Sequence, residues 1–151
     1  MLLNVSFGIY AFMPQGWIFM SVIVLLECLV ASKVLTKRWL TKKISSSIIY
    51  SNLISGIIGI SVTMLLNGGW ALVVWFPWIG RHEFDLTQPG MLTTLIIFYL
   101  IAFALTLIFE IATNILFLRK QFSTKQIIKA TLMANIVSYA VGSIALYSFT
   151  F

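Results

Sequence analysis

Residues 27–59, ECLVASKVLTKRWLTKKISSSIIYSNLISGIIG, and residues 110–142, EIATNILFLRKQFSTKQIIKATLMANIVSYAVG, decide how this chain is read. Laid over each other at an offset of 83 residues, positions 26–59 and 109–142 align without a gap and share nine identities in 34 positions. Glu27 falls on Glu110, Leu35 on Leu118, Lys37 on Lys120, Thr41 on Thr124, Lys42 on Lys125 and Ile44 on Ile127. Asn52 falls on Asn135, Ser55 on Ser138 and Gly59 on Gly142. Seven of these nine are polar, charged or glycine, and two of the chain's 4 acidic residues coincide. A general surplus of Leu and Ile does not produce matches of that kind. They define an internal repeat.

The setting of the repeat is apolar. The chain is 60% hydrophobic and 9% charged, with a mean hydropathy of +1.03. A soluble domain carries about 25% charged residues, and a water-facing surface cannot be made from so few. The reading is an all-α integral membrane protein. Four runs reach the roughly 20 residues a spanning helix requires: 16–36, 44–66, 92–118 and 126–149. Short basic connectors, KRWLTKK and RKQFSTK, join the first run to the second and the third to the fourth. The expected fold is four transmembrane helices in one domain, 1–151, built as two helical hairpins. Repeat 1 covers about 16–66 and repeat 2 about 92–149, with an outer loop at 67–91 between them. Each repeat crosses twice, so the copies run parallel and are related by a pseudo-twofold axis along the membrane normal.

Nine of the ten Lys and Arg residues lie at the two short connectors. Basic residues favour the cytoplasmic side, so turns 37–43 and 119–125 are expected to be cytoplasmic. Both termini and the loop 67–91 are then outside, in an inner (plasma) membrane. The loop crowds Trp70, Trp75, Phe76 and Trp78 around Pro77. Trp rings prefer the headgroup region, so 69–80 is expected to lie in the interface. The opening residues, MLLNVSFGIYAFMPQGW, have neither the positive start nor the cleavage pattern of a signal peptide. The first run is therefore expected to be retained.

The charge of +6 does not point to nucleic acid, because the cations flank apolar runs. Cys28 is the only cysteine and His82 the only histidine, so no metal or cofactor is expected. The stretch RHEFD at 81–85 offers His82, Glu83 and Asp85, whose consecutive side chains diverge, and it reads as a solvated loop. Cys28 has no histidine near it in sequence and reads as a small packing residue. No catalytic set can be assembled at one depth, so an enzyme is not expected.

What remains is polar and deep. Glu27 lies about ten residues before its turn, or ~15 Å at 1.5 Å per residue, and Asn52 about eight residues after it, or ~12 Å. Glu110 and Asn135 are each about nine residues from theirs, by the same geometry. All four should meet near the midplane, with Asn114 one turn from Glu110 on the same face. Its repeat counterpart is Ala31. The asparagine helices also carry small residues four apart: Ser51, Ser55 and Gly59 in one copy, and Ala134, Ser138 and Gly142 in the other. That pattern marks a close helix-packing face.

Carboxyl groups at such depth have two readings. An intramembrane ionisable residue marks a proton or cation path by default. Alternatively, each glutamate is a neutral acid that fastens helices together, since desolvation disfavours its charged form. No Lys or Arg within the runs could neutralise a charge, whereas each copy supplies an asparagine. The expected function is a structural or accessory subunit of a membrane assembly. A small proton- or cation-coupled transporter or channel using Glu27 and Glu110 is the alternative. The expected partners are the bilayer and other membrane chains or further copies of this one.

The hairpin signature of a mid-helix Glu, a basic turn, then Asn, Ser and Gly resembles the cyanobacterial filament-integrity family of septal-junction membrane proteins. It is carried by Glu27, Asn52, Ser55 and Gly59, and again by Glu110, Asn135, Ser138 and Gly142. The resemblance covers about 34 residues per copy, and the duplicated form departs from that family's pattern. It implies a place in a membrane assembly and no catalytic activity.

Overall fold

The computed structural model describes residues 14–65 and 90–149. These residues form four helices and no strand: α1, Pro14–Thr36; α2, Lys42–Leu65; α3, Met91–Leu118; and α4, Thr124–Phe149. The aromatic stretch 69–80, the RHEFD motif and both chain ends lie outside the described residues. So do the surroundings of Gly59.

Each helix ends where its sequence stops supporting it. α1 closes at Thr36, and the chain reverses through Lys37, whose φ of 63° is the left-handed conformation that non-glycine residues seldom adopt. Side chains hold that turn. Thr36 Oγ1 donates to Ser32 O at 2.8 Å and meets Thr41 Oγ1 at 3.1 Å, while Thr41 N donates to Ser32 Oγ at 3.3 Å. Gly90, at φ 86°, starts α3. α4 begins with a capping box. Ser123 N donates to Gln126 Oε1 at 3.0 Å, and Gln126 N donates to Ser123 Oγ at 3.4 Å.

The helices pack as a four-sided bundle. α1 and α2 form one hairpin and α3 and α4 the other, while α1 lies against α4 and α2 against α3. The contacts between hairpins are the more extensive, and the diagonal pairs barely touch. Towards the two short turns, Cys28, Ala31, Ile44, Ile48, Leu118, Ile127 and Ala134 form an apolar core. Ser51 and Ala134, equivalent under the repeat, are both completely buried. The small-residue faces thus lie where helices meet.

Four spanning helices are expected from the sequence. By length and composition, one helix among the described residues qualifies: Ile18–Thr36 in α1, with a mean hydropathy of 2.3. Phe103–Leu118 in α3 is a shorter apolar stretch. α2 carries Ser47, Ser51, Asn52 and Ser55 along its length, while Ile49, Leu53 and Ile57 stand exposed on its outer surface.

Candidate functional site

The residues that the repeat makes equivalent converge in the middle of the bundle. Glu27 and Glu110 are 2% and 1% exposed, so neither carboxyl has water to lean on. Within each hairpin an asparagine serves it. Asn52 Nδ2 donates to Glu27 Oε2 at 2.6 Å, and Asn135 Nδ2 donates to Glu110 Oε2 at 2.7 Å. Both amides also donate their second hydrogen to the backbone one turn back, Asn52 to Ile48 O and Asn135 to Thr131 O, each at 3.1 Å. Depth puts an asparagine within reach of each glutamate in its own hairpin or across the pseudo-axis, and the partner in the structure is the one in its own hairpin.

Across hairpins, the serines of the small-residue stripe complete the site. Ser138 Oγ lies 2.6 Å from Glu27 Oε1. Ser55 is likewise hydrogen-bonded to Glu110. Every contact has its mate at the 83-residue offset, so the site has the symmetry of the repeat. A glutamate from one hairpin is held by an asparagine of its own hairpin and a serine of the other.

Ser138 Oγ is also 3.1 Å from Asn135 O, and Ser55 Oγ is 3.0 Å from Asn52 O. A hydroxyl has one hydrogen to donate and can also accept. Both contacts of each serine close together when the serine donates to the carbonyl and accepts a hydrogen from the carboxyl. In that arrangement the acid is protonated, whereas an ionised carboxyl would take the serine's one hydrogen itself. The nearest-in-sequence cations stand at the short turns, so the interior around the pair has no basic residue among those described. A pair of neutral acids satisfies this geometry.

Asn114 belongs to a different group from the one its sequence position suggests. It lies one turn from Glu110, yet its partners are Ser47 and Thr131. Ser47 Oγ donates to Asn114 Oδ1 at 2.7 Å, and Asn114 Nδ2 donates to Thr131 Oγ1 at 3.2 Å. All three are buried. Under the repeat they correspond to Ala31, Ala130 and Ile48, so this triad breaks the symmetry and ties α2, α3 and α4 at one place only. Its members on α2 and α4 escape sequence reasoning based on the repeat, because neither has a polar mate.

Cys28 is buried, with its Sγ 3.7 Å from Ser45 O, and packs in the core as expected. No group of three or more His, Cys, Asp or Glu that could hold a metal occurs among the described residues. The chain matches no protein-family model, no curated protein and no solved structure. What the site can do must therefore be argued from its chemistry.

Proposed function

We propose that the chain is a small polytopic inner-membrane protein, a structural or accessory subunit, whose two hairpins are fastened near the midplane by a symmetric set of Glu–Asn and Glu–Ser contacts. The observation that carries the structural role is the closed hydrogen bonding of both carboxyls: each is buried, and each is engaged by a side chain from both hairpins. A group poised to pick up and release an ion needs an open coordination position or a wet route to a surface.

The membrane reading is supported by the inversion of the bundle. Its inside holds Glu, Asn, Ser and Thr, while Ile18, Val22, Leu100, Ile108, Leu116 and Ile144 are half or more exposed on its outside. Only 28% of the apolar window in α1 is buried, whereas a core helix of a soluble protein hides most of its surface. In hydrocarbon, polar groups turn inward to find partners, and outward Ile and Leu meet their preferred solvent. The resemblance to the filament-integrity family fits a place in a larger membrane assembly.

The orientation follows from the nine cations at the two short turns. A cysteine placed at position 40 or 122 is expected to react only with reagents admitted to the cytoplasm. Labelling from outside intact cells would overturn the topology. The structural role is tested in vesicles holding the pure protein. No proton or cation flux is expected, and the Glu27→Gln, Glu110→Gln double variant should behave like the parent. Flux present in the parent and lost in that variant would replace this role with the transporter reading.

A further inference from the structure

We infer that the two short turns form a pair of binding sites for anionic, phosphate-bearing lipids, with one headgroup seated at each turn. This rests on the membrane reading above.

Lys33, Lys37, Arg38, Lys42 and Lys43 at the first turn, and Arg119, Lys120, Lys125 and Lys129 at the second, are all exposed. The only acids among the described residues, Glu27 and Glu110, are buried deep in the bundle, so no carboxylate of this region stands beside any of these cations. Side chains of the turns satisfy one another instead. Ser32, Thr36 and Thr41 close the first, and Ser123 and Gln126 close the second, where Gln121 N and Phe122 N also donate to Leu118 O. The backbone carrying the cations is thus held in one shape. Lys37 and Lys42 repeat as Lys120 and Lys125, so each turn presents the same two cations at the same spacing.

The surface beside these cations is apolar. Trp39 is 68% exposed, with Lys33 Nζ 4.4 Å from its ring centroid. Leu40 at the first turn and Leu116 and Phe117 just before the second are also exposed. A soluble acidic partner would leave those side chains uncovered. An amphiphile covers both kinds of surface, with its phosphate on the lysines and its chain along the apolar flank. Each cation near an anionic membrane surface contributes enough to change retention about fivefold.

The test uses the full chain purified in neutral detergent and supplied with phosphatidylglycerol or phosphatidylcholine, with retained lipid counted by native mass spectrometry. Two phosphatidylglycerol molecules per chain are expected to be kept in preference to phosphatidylcholine. Lys37→Gln with Lys42→Gln should remove one, and Lys120→Gln with Lys125→Gln the other, each with roughly thirtyfold weaker retention. Thermal stability in detergent without lipid, unchanged in all variants, separates lost binding from misfolding. Equal retention of both lipids, or no change in the lysine variants, would overturn the proposal. So would displacement of the lipid by inorganic phosphate or a soluble acidic protein at low concentration. A chain that stays dispersed without detergent would overturn the membrane reading itself, a failure distinct from these.

Discussion

Replacing both buried carboxyls by leucine is expected to weaken the bundle by several kcal/mol, while replacing both by glutamine should leave it within about 1 kcal/mol of the parent. Glu27→Leu with Glu110→Leu removes two asparagine contacts within the hairpins and two serine contacts between them. Each interhelical bond of this kind is worth about 1–2 kcal/mol at most. The loss is partial because each asparagine keeps its bond to Ile48 O or Thr131 O and each serine keeps its carbonyl. Leucine orphans one amide hydrogen per asparagine. Glutamine reproduces the neutral acid: its carbonyl accepts from asparagine and its amide donates to serine. Unfolding in detergent, followed by helical signal against denaturant, reads the difference. A glutamine variant as unstable as the leucine one would mean that charge, rather than hydrogen-bond closure, is what the site requires.

The second large effect separates the two hairpins. The serine contacts cross between hairpins, whereas the asparagine contacts stay inside one. Ser55→Ala with Ser138→Ala should therefore loosen hairpin from hairpin while sparing each hairpin. With a protease site placed in the connector 67–89, the cut parent is expected to stay together. The cut serine variant should associate up to roughly thirtyfold to a thousandfold more weakly, the equivalent of about 1–2 kcal/mol for each of two bonds. Asn52→Ala with Asn135→Ala should leave association between cut halves much closer to that of the parent and lower the stability of each half. Equal effects from the two pairs would show that the contacts do not divide in this way.

Much of this was legible in the sequence because the repeat compares the chain with itself. The four apolar runs locate the helices to within two residues at each end. The depth argument brings Glu27, Asn52, Glu110 and Asn135 to one height, because distance from a turn fixes height in a hairpin, but it leaves open which asparagine serves which glutamate. The role of Ser55 and Ser138 was only half legible. They mark a packing stripe, but a small residue on such a stripe need not bond to anything. The signal was present in their position: three residues after an asparagine, on the same face, and conserved between copies with the glutamates. Ser47 and Thr131 gave no such signal, since their counterparts are Ala130 and Ile48. A bond that breaks the symmetry depends on how one hairpin docks against the other, and internal comparison carries no record of that.

The central claim is that two neutral carboxylic acids join the hairpins. Infrared spectroscopy of the protein in lipid at neutral pH tests it most directly, because a protonated carboxyl has a carbonyl stretch well separated from the carboxylate bands. The account predicts that band in the parent, reduced by Glu27→Gln or Glu110→Gln alone and abolished by the two together. A parent spectrum with carboxylate bands from these two residues, and no protonated-carboxyl band for the glutamine variants to remove, would contradict it.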